Sequence, residues 1–255
     1  MQNIYSRIRS IFPYLVLAGF CLPISSAFGQ KEVLTSNQVW LQSYHEGRIS
    51  SKWTALLDGG FRWRNGFDRR LAYIVRGGVG YSLSPKLRVG GGFAFMGIYG
   101  EKEIIRHEYR PYQEVLLKDQ LGKLSISHRF RIEERIFKDK VLDFATVDFN
   151  FRFRYAVTLG IPLANLSSKD PNRRLVLNLG DEIFLNAGKE ITHNTFDQNR
   201  LIISPTLQWN KSLSVSLTYN YQYASTPDAD IYLVSHVGWL QIRHNLDFRN
   251  PHSKD

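Results

Sequence analysis

The sequence predicts an all-β protein, a transmembrane antiparallel up-and-down β-barrel of 10–12 strands with 12 favoured. Three observations predict it. First, Phe149, Phe151, Phe153, Tyr155, Val157 and Leu159 share one parity, and Asn150, Arg152, Arg154, Ala156 and Thr158 share the other. In an extended strand these parities are opposite faces, one greasy and one polar and cationic, over a length close to the roughly 9–11 residues that cross a bilayer. Second, the same alternation recurs along the chain, with turn formers between its repeats. Third, no segment after the first 29 residues has the roughly 18 consecutive apolar residues of a membrane helix. The 43% hydrophobic content and the mean hydropathy of -0.27 fit a barrel that dilutes its apolar band with a polar lumen. A secreted soluble sandwich is the structural rival.

The chain opens with Arg7 and Arg9, then the apolar run Ile11–Leu22, then Ser25, Ser26, Ala27 and Gly29. A basic start, a short apolar core and small residues make a secretory signal peptide over 1–29, cut after Gly29, with the barrel over 30–255. A membrane anchor would need roughly 20 apolar residues. Phe20 before Cys21 argues against a lipoprotein site, and cleavage removes the only cysteine. The whole chain has 33 Lys+Arg against 23 Asp+Glu; without the two leader arginines the balance is 31 against 23. Arginines spread singly along strands of an exported chain fit nucleic-acid binding poorly.

The strands follow in order. A less regular one lies around Val39–Glu46. Trp53, Ala55, Leu57, Gly59, Phe61 and Trp63 oppose Asp58, Arg62 and Arg64, and Asn65-Gly66 opens a turn. Leu71 to Leu83 and Leu87 to Tyr99 flank Ser84-Pro85-Lys86, with Arg76 and Arg88 on the polar side. Their glycines at 77, 78, 80, 90, 91 and 92 permit curvature or close backbone approach. The noisier strand 106–118 carries Arg106, Glu108, Arg110, Tyr112 and Glu114 on one face, and Pro111 inside it predicts a bulge or distortion.

After the turn Asp119–Lys123, Leu124, Ile126, Phe130, Ile132 and Ile136 oppose Ser125, Ser127, Arg129, Arg131, Glu133 and Arg135. The charged loop Lys138–Asp143 leads to the strand described first. Beyond the connection Ala164–Arg173, Leu175, Leu177, Leu179, Ile183 and Leu185 oppose Asn178, Gly180, Glu182 and Asn186. A loop over Lys189–Phe196 precedes Leu201 to Trp209, whose polar row holds Arg200, Ser204, Thr206 and Gln208. Leu213 to Tyr223 then oppose Ser214, Ser216, Thr218, Asn220 and Gln222, and a last strand runs from about Tyr232 to Phe248 with Gln241, Arg243, Asn245 and Asp247 on its polar side.

This makes eleven strands. Single-chain bacterial barrels normally have an even number, so a short strand near 30–37 or one misassigned segment is implied. Trp53, Trp63, Tyr81, Tyr99, Trp209, Tyr219, Tyr221 and Tyr223 near strand ends suggest interfacial aromatic girdles.

Several stretches resemble one known family: Val39–Leu41, Gly60–Arg64, His128–Glu134 (H-R-F-R-I-E-E), Phe151–Tyr155, Asp181–Phe184, Phe196–Arg200 (F-D-Q-N-R) and Lys211–Tyr219. The chain resembles the outer-membrane β-barrel family of domain of unknown function 2490 over nearly all of its mature length. The resemblance implies an outer-membrane barrel and carries no activity or catalytic residue with it. Many outer-membrane barrels end on an aromatic residue used in assembly, whereas this chain runs past Phe248 to Asp255.

The polar rows put Arg62, Arg64, Arg76, Arg88, Arg110, Arg129, Arg131, Arg135, Arg152, Arg154 and Arg243 inside, facing Asp58, Glu108, Glu114, Glu133, Glu182 and Asp247. Guanidinium forks suit carboxylates, and ten to twelve strands enclose little more than side chains can fill, so a structural network is the first reading. A narrow cationic pore passing or binding an anionic solute is the sharper one. Catalysis on outer-membrane lipid is the alternative. Ser43 and His45 share a parity and could pair, but no G-x-S-x-G motif supports them, and neighbours Ser127 and His128 face opposite ways. The histidines and acids show no metal-ligand spacing, and no cofactor is implied. The expected surroundings are outer-membrane lipid and, during insertion, the barrel-assembly machinery of a Gram-negative envelope, with the chain a monomer.

Overall fold

The computed structural model describes residues 31–189, 191, 195–228 and 230–249; the signal peptide expected over 1–29 lies outside them. Eleven strands follow one another: β1 (Glu32–Arg48), β2 (Trp53–Arg64), β3 (Arg69–Ser82), β4 (Leu87–Tyr99), β5 (Ile104–Leu121), β6 (Leu124–Asp139), β7 (Ala145–Asn165), β8 (Arg174–Ala187), β9 (Phe196–Gln208), β10 (Leu213–Ser225) and β11 (Ile231–Asp247). Each pairs with its sequence neighbours, and β1 pairs with β11, so the barrel is closed. Closure leaves no unpaired edge, which backbone in hydrocarbon requires.

Eleven strands lie within the expected range, though twelve are not reached among the described residues. The stretch proposed as an extra strand near 30–37 is instead the start of β1, which runs unbroken from Glu32. The odd number has a geometric consequence that the all-antiparallel expectation did not contain. In an up-and-down meander, strand 1 and strand 11 run the same way, so the closing pair β1–β11 is parallel, in register from Glu32↔Ile231 to Arg48↔Asp247. All other pairs are antiparallel.

Side-chain burial is inverted relative to a soluble protein. Exposed positions include Leu57, Phe61, Val75, Val79, Phe93, Phe130, Phe151, Phe153, Leu201, Ile203 and Leu217, the last at 67%. Buried positions include Glu108 and Asn220, both at 0%, with Glu133, Arg152, Arg154, Glu182, Thr218 and Gln241. A monomer in water rarely exposes such contiguous apolar surface, while a barrel in lipid must. The strands are 12 to 21 residues long, enough to cross a bilayer at a tilt.

Local chemistry explains the connections. Asn65 (φ 51°) and Gly66 (φ 72°) both take the left-handed conformation that a tight reversal after β2 requires. Gly122 (φ 59°) does the same in the two-residue β5–β6 turn, which is tighter than the Asp119–Lys123 turn expected. Between β6 and β7 the charged loop contains a single 3₁₀ turn, Lys140–Leu142, capped by the Asp139 carboxylate accepting from the Val141 N–H at 3.1 Å. In the β7–β8 loop, Asp170 accepts from the backbone and side-chain amides of Asn172 at 2.9 and 3.0 Å, which holds its carboxyl below the usual range.

At Pro111 the expected irregularity takes the form of lost pairing, not of a bulge. The β4–β5 register passes straight through Phe93↔Pro111, and β5–β6 keeps one register from Tyr109↔Ile136 to Tyr112↔Glu133 with the two intervening positions unpaired. The missing N–H removes ladder bonds without inserting a residue. A register shift does occur beside a second strand proline, between Pro162 and Ala164, while β8–β9 passes straight through Leu177↔Pro205.

Of the eight aromatics expected in girdles, all but two stand at the rims. Trp53, Tyr81 and Trp209 stand at the rim of the β1–β2 and β3–β4 turns, where Trp53 and Tyr81 meet edge to face at 4.9 Å. Trp63, Tyr99 and Tyr223 stand at the other rim. Tyr219 and Tyr221 sit mid-strand on β10 instead, and the Tyr219 hydroxyl meets His236 Nδ1 at 2.7 Å on the outer face.

Candidate functional site: a guanidinium–carboxylate lumen

The lumen is built from every second residue of each strand. Neighbouring strands keep their inward rows adjacent, so charges separated widely in sequence meet. On the β5–β8 wall three glutamates are hubs. Glu108 takes both Arg110, with Nη2 2.6 Å from Oε2, and Arg135 at 2.5 Å. Glu133 takes Arg152 at 2.5 Å, Arg154, and Arg131 more distantly at 3.7 Å. Glu182 takes Arg154 and Arg129, each at 2.6 Å, and Arg200 at 3.7 Å. Glu114 binds Arg131 at 2.5 Å and Asp197 reaches Arg152 at 3.2 Å. Five carboxylates thus serve seven guanidiniums. Buried charges are tolerable only when paired and hydrogen-bonded in this way.

Arg76 joins Asp58 on the neighbouring wall at 2.9 Å, with Gln42 donating to the same carboxylate at 2.7 Å. Two inward glycines make space there. A Cβ at Gly78 would stand 2.6 Å from the Tyr112 hydroxyl, and one at Gly92 would stand 2.2 Å from the Gly77 carbonyl. Tyr112 fills that space and carries the Arg131 guanidinium on its ring at 4.3 Å. On the β9–β11 wall, beside the charged Asp197, Arg200 and Arg243, neutral contacts prevail: Ser204 meets Thr218 at 2.6 Å, Thr206 meets Ser216 at 2.8 Å, and Gln241 donates to Thr218 at 2.8 Å.

The other arginines read from the sequence are placed differently. Arg62 points inward, but among the described residues no carboxylate pairs with it; its guanidinium lies 4.0 Å over the Trp40 ring, with Arg200 on the same indole at 5.3 Å. Arg64 is exposed at the end of β2, and no ion pair holds it among the described residues. Arg243 donates to Gln241 at 2.9 Å and stacks on Tyr44 at 4.2 Å, with no ion pair to a carboxylate among the described residues. Arg88 binds Glu46 at 2.9 Å near one rim.

Several lumen residues escape a reading by alternation, Ile74 and Met96 among them, and others are rings that meet guanidiniums. Trp40 and Phe184 are apolar side chains on polar rows, exposed by 2% and 0%. Phe184 carries Arg154 at 4.4 Å and Arg200 at 4.6 Å. Arginine–aromatic stacking desolvates a guanidinium at low cost, which is why these rings sit inside. Arg200 stood on a polar row in the sequence, and its part in the network emerges only from the register of β8 with β9.

Ser43 and His45 both face outward. The His45 ring stacks on His244 across the β1–β11 seam, with Nδ1 atoms 3.2 Å apart, and Ser43 has no hydrogen bond to it among the described residues.

A family model described as a protein of unknown function (DUF2490) matches residues 37–232. An uncharacterized protein of Methylorubrum extorquens is 26% identical over 150 residues, 58% of this chain. The chain spans 63% of that relative's length. A solved NanC porin shares 13% identity at a TM-score of 0.44, covering 72% of this chain and 85% of the porin. With a family model spanning most of the barrel strands, the chain belongs to the DUF2490 family of proteins of unknown function.

Proposed function

We propose that the protein is an outer-membrane barrel whose lumen is sealed by its own charges, a membrane-embedded structural body rather than an open channel. The observation that carries this reading is the Glu108, Glu133 and Glu182 lattice: it links strand to strand with Arg110, Arg131, Arg152 and Arg154 buried, while Arg62 from β2 and Arg200 from β9 converge on the Trp40 ring. Eleven strands enclose a space that such side chains can fill. The secretory leader and the outward apolar belt support export to the outer membrane.

A second reading, a narrow anion-selective passage, draws on the excess of guanidiniums over carboxylates and on Arg62, which no acid neutralises among the described residues. Conductance of the purified protein in planar lipid bilayers separates the two. The sealed barrel gives no steady current steps; reproducible anion-selective steps would establish the passage instead.

A further inference from the structure

One rim of the barrel, that of the β1–β2, β3–β4 and β9–β10 turns, opens into a cavity of about 430 Å³. That volume lies within the range of small-molecule sites, roughly 300–1,000 Å³. Its charges are unequal. Lys118 has Arg48, Arg88 and Arg243 as cationic neighbours and Glu46 as its acidic one. Glu46 is already engaged by Arg88 at 2.9 Å, and Lys86 is bound to Asp119 at 2.6 Å. Arg48, Lys118 and Lys211 line the cavity with no ion pair among the described residues; the other carboxylate of the lining, Asp247, stands opposite Arg48 on the β1–β11 seam and is held by Arg249 at 2.6 Å, so five cations face two acids. Thr54, Ser82, Ser84 and Ser212 add hydroxyls to the same wall. Like charges gathered at one mouth repel one another through screening water and salt, and an anion there would relieve the repulsion.

We infer that this mouth is a binding site for a sugar-sized phosphorylated anion. Ammonium groups act as point charges for phosphate, arginine supplies planar donors, and the hydroxyls suit phosphate oxygens or sugar hydroxyls. The site rests on the sealed-lumen reading in one respect: an anion entering here stops at the Arg88–Glu46 pair instead of passing through. Phosphate of this kind comes from a soluble phosphorylated sugar or from a lipid headgroup at the rim.

The test is calorimetric titration of inorganic pyrophosphate into the refolded, full-length mature barrel, with folding verified by heat-modifiability. Saturable binding that weakens with added salt is expected. Each lost cation should weaken it about tenfold, so Lys118→Ala and Arg48→Ala should each do so and Lys140→Ala at the opposite rim should not. Absence of saturable binding, equal binding by all three variants, or tighter binding of citrate than of pyrophosphate would overturn the proposal. Repeating the titration in phosphatidylcholine vesicles with and without phosphatidylglycerol identifies the source: competition by phosphatidylglycerol assigns the site to a headgroup, and its absence to a soluble anion. Because binding is read in folded protein without any current, the result is independent of whether the lumen conducts.

Discussion

Glu133 and Arg152 stand directly opposite one another on β6 and β7, and the arginine grips a single carboxylate oxygen with Nε at 2.8 Å and Nη2 at 2.5 Å. The other oxygen of Glu133 holds Arg154, whose remaining donors reach Glu182. A cross-strand pair therefore becomes a relay around three strands, and the account rests on that relay as the polar core of an inside-out protein.

Removing the hub should be costly. Glu133→Leu leaves Arg152 and Arg154 buried with a carboxylate fewer between them, and breaking such a pair costs about 3–5 kcal/mol, less where lumen water reaches the survivors. The double variant Glu133→Leu with Arg152→Leu should recover part of the loss, since Arg154 keeps Glu182. Urea unfolding in lipid vesicles, followed by tryptophan fluorescence, measures both. A double variant as unstable as the single one would show that the pair does not act as a unit.

Arg62 should behave in the opposite way. It has no carboxylate among the described residues and lies near Arg76, Arg110 and Arg200. Arg62→Met keeps the stem packed, forfeits a cation–π contact worth about 0.5–2 kcal/mol, and removes repulsion that offsets it. The net change should be within about 1 kcal/mol. A loss as large as that of the Glu133 variant would point to an acidic partner for Arg62.

The lipid face carries its own prediction. Phe151 faces outward on β7, one residue from Arg152. Phe151→Arg should destabilise the barrel by about 2–4 kcal/mol if the position lies near the bilayer midplane, and less toward an interface. An unchanged urea midpoint would remove Phe151 from the apolar belt.

Much of this was legible in the sequence because strand parity depends only on neighbours. The inward rows of β2, β6, β7 and β10 follow from Arg62, Glu133, Arg152 and Thr218 alternating with apolar residues. Partner identity was not legible. That Arg152 meets Glu133 whereas Glu182 goes to Arg154, Arg129 and Arg200 depends on the stagger of β6, β7, β8 and β9, which no single strand encodes. Trp40 and Phe184 were hidden for a different reason: apolar side chains read as lipid-facing until the guanidiniums stacked on them are seen. The parallel β1–β11 seam joins the two ends of the barrel's strand order, beyond the reach of any local pattern.

Location is testable in cells. The mature protein should fractionate with the outer membrane and migrate faster on gels before heating than after. Recovery in the soluble periplasmic fraction would refute a transmembrane barrel.

The inside-out arrangement itself is tested most directly by single cysteines at 151, 152, 153 and 154 of β7, in a chain carrying Cys21→Ser. In intact outer membranes a lipid-soluble thiol probe should modify cysteines at 151 and 153 and spare those at 152 and 154. Modification at 152 and 154 with protection at 151 and 153 would turn the strand over, place the arginines in lipid, and contradict the charge-filled lumen.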